Sequence, residues 1–183
     1  MTCNSKILSY IFSYQIFFVT VLIVAMSNNA SAKNLVYENN WAYLADTVMG
    51  GVSKGGAEFS AGALRLTGQV STKNNGGFIQ VRTRIDPTVA LGKSGIKIKV
   101  KGNGDIYYLH VRNASARLPW QYYTASFKTS EKWKDISISF DEFEKSATLM
   151  PRKLKSESIK TIGLVAYGKD LNADVSIANL EFY

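Results

Sequence analysis

From residue 95 the chain alternates. In Gly95-Ile96-Lys97-Ile98-Lys99-Val100-Lys101-Gly102, three apolar side chains fall on one side of an extended backbone and three lysines on the other. A period of two suits a strand with one wet face and cannot be laid on a helix, whose faces recur every 3.6 residues. The same pattern runs over 105–113, with Tyr107, Leu109 and Val111 inward and Tyr108, His110 and Arg112 outward. It returns over 121–128 (Tyr123, Ala125, Phe127 inward) and 134–140 (Ile136, Ile138, Phe140 inward). Further strands are expected at 63–70, 77–85, 159–167 and 174–183, with Ala57-Glu58-Phe59 also extended. The stretch 159–167 is apolar on both faces, as in a central strand, and the phase change between Ile177 and Leu180 predicts a bulge at Ala178-Asn179.

Short strands at even spacing, without helical crossovers, predict an all-β fold: a two-sheet antiparallel sandwich of jelly-roll form. Gly102-Asn103-Gly104-Asp105 reads as a hairpin turn, and Asp141 to Ser158 as a surface loop or one short helical turn. The whole of this pattern lies in residues 33–183, expected to form a single domain. Residues 1–32 read instead as a secretory leader: Lys6, an apolar run from Ile16 to Met26, and Ala30-Ser31-Ala32 as a small-x-small cut site. Cleavage there predicts a periplasmic or secreted protein. The alternative is an uncleaved membrane anchor, since the mainly apolar run from Ile7 reaches the length of a bilayer span. The one cysteine, Cys3, falls in that leader, so the domain holds no disulfide despite an oxidising destination. A net charge of +8 favours acidic partners without specifying one.

Residues 46–56, Asp-Thr-Val-Met-Gly-Gly-Val-Ser-Lys-Gly-Gly, hold four glycines within seven positions. A phosphate-binding loop places its glycines at fixed offsets before Lys-Ser/Thr and a helix, so that amides converge on the phosphate. That spacing is absent, and the segment feeds a strand, which excludes the nucleotide-loop and dinucleotide readings. A tight turn remains, with the backbone running close to something. A second cluster, Asn74-Asn75-Gly76-Gly77-Phe78, offers residues tolerant of a left-handed backbone.

Asp46-Thr47-Val48-Met49-Gly50-Gly51-Val52-Ser53, preceded by Trp41, resembles the opening signature of the complex I intermediate-associated protein 30 family. The likeness continues through Asn74 to Phe78, the segment 100–112, Trp133, Phe140-Asp141-Glu142-Phe143 and Ile162-Gly163-Leu164, covering about residues 37–183. The resemblance implies a galactose-binding-domain-like jelly roll. It also implies a non-enzymatic role, since the family's mitochondrial members are assembly factors that bind intermediates of respiratory complex I.

Catalytic equipment is sparse. His110 is the one histidine; a general base, a metal ligand and a satisfied surface histidine are all open, and the last is the expectation. Without cysteine or a second histidine an ordinary zinc site lacks ligands. Asp46, Asp141, Glu142 and Glu144 could ligate calcium but form no ordered calcium loop, and Asp141 to Glu144 reads more simply as a solvated strand end. No cofactor and no metal are expected.

Binding is better supported. The outward residues Lys97, Lys99, Lys101, Arg82, Arg84, Tyr108, His110 and Arg112 would form one basic, aromatic surface if their strands share a sheet. The loop 114–122 adds Arg117, Trp120 and Tyr122, residue types that dominate contact energies. The two glycine clusters are expected to lie near one end of the sandwich, with Asp46, Ser53 and Asn75 tying down the backbone. The candidate binding residues are therefore Asp46, Met49, Gly50, Gly51, Ser53, Asn74, Asn75, Gly76, Gly77, Arg112, Trp120 and Tyr122. A protein partner is the expected ligand. Carbohydrate is the alternative, stacked on Trp120, Tyr122 and Tyr108. Nucleic acid is disfavoured by export, and membrane contact is expected only through an uncleaved leader.

Overall fold

Inward-facing apolar rows need a second layer to cover them, and here they cover each other. A computed structural model describes residues 33–183 apart from Asn39; the expected leader lies outside the described residues. The strands are β1 (Ala42–Ala45), β2 (Lys54–Ser60), β3 (Ala63–Val70), β4 (Phe78–Arg84), β5 (Gly95–Gly102) and β6 (Ile106–Asn113). They continue as β7 (Tyr123–Lys128), β8 (Lys134–Ser139), β9 (Glu144–Lys145), β10 (Ile159–Tyr167) and β11 (Leu171–Phe182). One sheet has the order β1-β4-β10-β6-β7-β9 and the other β2-β3-β11-β5-β8, and every pairing is antiparallel. This is the predicted sandwich.

The core forms from alternate residues of both sheets. Ile79, Val81, Leu109, Val111, Ile162 and Leu164 come from one, and Leu66, Ile96, Ile98, Val100, Val175 and Ile177 from the other, all buried. Each such side chain contributes about 1.5–3 kcal/mol by leaving water. β10 is central in its sheet, as its two apolar faces imply. The register of β11 shifts between Ile177 and Asn179, at the expected bulge. Asn34 satisfies the groups this frees, donating from Nδ2 to the Ala178 carbonyl (3.0 Å) and accepting from the Leu180 amide (3.2 Å).

Three expectations need correction. Residues 102–105 do not close a hairpin: β5 pairs with β11 and β8, whereas β6 pairs with β10 and β7 in the opposite sheet. The turn is a crossover, its amides donating to Ser130 (from Gly102, 2.8 Å) and Asp174 (from Asn103, 3.1 Å) instead of closing on itself. The single basic surface divides for the same reason, with Lys97, Lys99 and Lys101 on one sheet and Arg82, Arg84, Tyr108, His110 and Arg112 on the other. Asp141 to Glu144 is not simply a solvated strand end: its three carboxylates are exposed, but Phe143 is buried. Phe140–Glu142 forms one 3-10 turn whose Ser139 and Glu142 side chains cap it reciprocally, and both phenylalanines are buried.

The glycine clusters are crossovers too. Residues 46–53 carry the chain from β1 to β2, 71–77 from β3 to β4, and 168–170 from β10 to β11, each passing between sheets. Asp46, fully buried, holds the first two together. Its Oδ1 accepts from the Ser53 amide (3.0 Å), and its Oδ2 from the Ser53 hydroxyl (2.5 Å), the Gly77 amide (2.6 Å) and the Phe78 amide (3.3 Å). Ser53 Oγ also accepts from the Ser71 amide (2.9 Å). The third crossover joins through Thr72, which donates twice to Asp170 Oδ1, and through the Gly168 amide, which donates to the Gly77 carbonyl (2.9 Å).

Burial alone would raise the Asp46 pKa, but the Ser53 hydroxyl and then the Gly77, Ser53 and Phe78 amides outweigh it and hold the carboxyl below its ordinary value. A depressed carboxylate stabilises the fold above its unfolded pKa of about 3.9, and that contribution is lost as pH falls through the folded value. Asp46→Ala leaves buried donors without an acceptor and should cost about 3 kcal/mol or more, read from the urea midpoint. Gly51→Ala should cost a similar amount, because a methyl there would overlap the Asp46 carboxylate. An unchanged midpoint in both variants would contradict this account of the corner.

Candidate functional site

The outer face of the six-stranded sheet is built by the odd parity of β10. Thr161, Gly163, Val165 and Tyr167 point away from the core residues Ile162, Leu164 and Ala166. Register sets out the rungs across three strands: Arg84-Thr161-Arg112, then Arg82-Gly163-His110, then Gln80-Val165-Tyr108. Small residues run down the middle strand, and long ones stand on β4 and β6. The result is a trough floored by β10. Side chains from β4 lean over this floor: Gly163 and Val165 are buried, and an added Cβ at Gly163 would meet Gln80 Oε1 at 3.3 Å and Arg82 Cβ at 3.4 Å.

One wall of the trough is aromatic. Tyr122 stacks on His110 with ring centroids 4.0 Å apart and 15° between planes. Tyr167 reaches back along its strand to place its edge against Tyr108 (5.5 Å, 82°) and His110 (5.8 Å, 68°). The loop 114–122 delivers Tyr122 in a fixed position. Arg112 Nη2 donates to the Ala116 and Leu118 carbonyls, and Gln121 Oε1 accepts from the Arg117 and Leu118 amides. The backbone of Tyr122 exchanges hydrogen bonds with Ser146, donating to its Oγ and accepting from its amide, both at 2.9 Å.

Beneath these rings, two cross-strand neighbours, His110 and Thr124, bury polar atoms without a partner among the described residues: Nε2 and Oγ1. Burial pushes the His110 pKa down to about 4, so its imidazole is neutral at pH 7. Burial, then the neighbouring Tyr167 hydroxyl, pushes the Tyr122 phenol up to about 12. His110 faces outward as its parity predicts, but it is not a satisfied surface histidine, because a ring supplied by a distant loop covers it.

The predicted site residues fall in two places. Asp46, Ser53, Gly51, Gly76 and Gly77 form the interior of the crossover corner, where Asp46 and Ser53 are inaccessible to a ligand. Gly50 ends the Asp46–Met49 turn at φ 89°, and the tie expected of Asn75 is made by Asn74, whose Nδ2 donates to the Gly50 carbonyl (3.3 Å). Asn75 is exposed, with φ 57°. Met49 stands out from the corner beside Val48, the two being 66% and 67% exposed. Arg112 and Tyr122 belong to the trough, six residues of β10 from the corner, or about 20 Å along the backbone. Trp120 is 63% exposed, not packed beneath its own loop. Tyr167, Gly163, Gln80 and Thr124 were not anticipated; strand parity places the first two outward once 159–167 is known to pair with β6.

The opposite sheet carries an open groove of about 640 Å³ lined by Arg65, Lys101, Trp133 and Asp174, among others. Two of its cations are already engaged. Arg65 binds Asp174 through Nε (2.9 Å) and Nη2 (2.8 Å), and Lys101 Nζ lies 5.1 Å from the Trp133 ring centroid. The trough, with its orphaned polar atoms, is the stronger candidate.

The same architecture occurs in known proteins. The family 11 carbohydrate-binding module of Clostridium thermocellum, solved with a β-1,3-1,4-mixed-linked tetrasaccharide, aligns with a TM-score of 0.65 at 15% identity. That alignment covers 78% of this chain and 88% of the module. The family 11 module of the cellulosomal cellulase Lic26A-Cel5E of Clostridium thermocellum aligns with a TM-score of 0.67 at 16% identity, covering 83% and 94%. At this identity the likeness is one of fold. No curated protein sequence matches the chain. A sequence profile does: that of complex I intermediate-associated protein 30, over residues 30–176.

Because the chain holds one histidine, its buried state can be read directly by proton NMR. The imidazole should titrate near pH 4 instead of about 6.5, and Tyr122→Ala should return the midpoint toward 6.5. The sign for stability follows: between about 6.5 and 4 the unfolded chain binds a proton that the folded chain refuses, so the fold weakens as pH falls through that window. An unperturbed midpoint would mean that His110 is solvated.

Proposed function

The chain belongs to the complex I intermediate-associated protein 30 family, and from that footing we propose that it is an exported, non-enzymatic binding domain whose trough over β10 holds a glycan. The trough itself carries the reading: an aromatic wall beside exposed arginines, over two buried polar atoms without partners among the described residues. Sugar rings offer apolar C–H faces to aromatic side chains and hydroxyls to orphaned acceptors and donors, and this surface has both. The jelly-roll likeness to carbohydrate-binding modules supports the choice. Binding without turnover is supported by the chemistry of the face, where His110 is neutral and covered and Glu144 is the one carboxylate among the described outward residues. Export is supported by the leader-like pattern of residues 1–32.

A second reading, a protein partner as in the family's assembly role, rests on Val48 and Met49. They are exposed apolar side chains on a corner that hydrogen bonds hold rigid. The two readings use different residues, so they separate cleanly. Titration with a panel of soluble polysaccharides should show saturable binding that weakens about tenfold in Tyr167→Ala, the loss of about 1.4 kcal/mol. Gly163→Val, which fills the trough, should abolish it while the fold persists, and Met49→Ser should leave it unchanged. Glycan binding lost in Met49→Ser but kept in Gly163→Val would move the site to the corner.

A further inference from the structure

We infer that the glycan recognised in this trough is anionic, bearing carboxylate or sulfate groups, and that Arg82, Arg84 and Arg112 read its charge. This rests on the glycan reading above and specifies it. The three arginines occupy two successive rungs. Arg84 and Arg112 flank Thr161, and Arg82 lies beside Gly163, on the same side of the sheet as the aromatic wall. Across one intervening strand, the β4 and β6 backbones stand about 10 Å apart, so the guanidinium groups flank β10 from both sides.

None of the three forms an ion pair with a carboxylate of the described residues. That sets them apart from Arg65 on the other sheet, which is held by Asp174 and faces Glu58. Burial and then the nearby charge of Arg82 both work against the protonated state of Arg112, so like charges are held together here without a counter-charge from the chain. Arg112 spends Nη2 on the Ala116 and Leu118 carbonyls, which fixes the guanidinium plane at the edge of the trough. Arg82 and Arg84 are exposed, and their guanidinium groups make no hydrogen bond among the described residues. Guanidinium groups match carboxylate and sulfate oxygens in a planar, two-point fashion, and a ligand supplying those oxygens relieves the repulsion as it binds. Neutral sugar hydroxyls would leave it standing.

The test compares matched chains by isothermal titration: a polyuronate and its carboxyl-reduced form, and a sulfated galactan and its desulfated form. At least tenfold tighter binding of either anionic chain over its neutral counterpart is expected, weakening as ionic strength rises from about 0.05 to about 0.5 M. The arm that binds tells carboxylate from sulfate. The double variant R82Q/R84Q, at exposed positions outside the core, should lose that preference. Polyglutamate serves as a charge-only control, and Tyr167→Ala should weaken the anionic chain but not polyglutamate. Equal affinity for neutral and anionic chains, or an anionic preference that survives R82Q/R84Q, would overturn the inference and leave the glycan reading intact. Polyglutamate binding as tightly as the anionic glycans would overturn it as well, and failure to bind any of the four chains would remove both.

Discussion

A buried carboxylate with no cation beside it sets the geometry of this domain. Asp46 is held ionised by three amides and a hydroxyl, all from its own chain. The glycine-dense loop thus does what such loops do elsewhere, converging N–H groups on an anion, except that the anion is internal. Glycine density follows from that. Gly51 and Gly76 carry no side chain because the carboxylate fills the space where their Cβ atoms would lie. The corner also reaches the trough. Phe78, whose amide binds Asp46, is the register partner of Tyr167, and the next residue, Gly168, is bonded to Gly77. The aromatic that closes the trough is therefore positioned by the same hydrogen bonds that join the sheets.

The two outer faces show opposite electrostatic economies. On the five-stranded sheet, two of the cations are engaged locally: Arg65 by Asp174, Lys101 by the face of Trp133. On the six-stranded sheet, arginines stand without counter-charges among the described residues, and a histidine and a threonine bury polar atoms without partners among them. Each unsatisfied buried group costs about 1–3 kcal/mol, so a fold that keeps two side by side gives up stability at this position.

How much of this was legible in the sequence depends on how local each feature is. Strand faces and the β11 bulge follow from alternation within eight or so residues, and they came through. Partner choice is non-local. Nothing in residues 102–105 tells a hairpin from a crossover, because both need a glycine that accepts positive φ, here Gly104 at 90°. The outward direction of His110 was visible, but its burial was not, because the covering ring comes from Tyr122 at the end of a separate loop. Tyr167 was masked by its own strand: β10 is apolar on both faces, so parity gave no reason to separate it from Val165. Asp46 and Ser53 were legible as an anchoring pair; that they anchor a second loop through Gly77 was not.

The trough's rings also differ in freedom, and that difference bears on how a ligand gains entry. Tyr122 is stacked flat on His110, and its backbone is bonded to Ser146 in both directions. Moving it would sacrifice all of these contacts. Tyr167 is 42% exposed, touches Tyr108 and His110 by its edge, and is the last residue of its strand before Gly168. It is the more exposed of the two rings, and its hydroxyl is hydrogen-bonded to that of Tyr122. With the loop 114–122 already fixed by Arg112 and Gln121, little ordering entropy remains to be spent on binding.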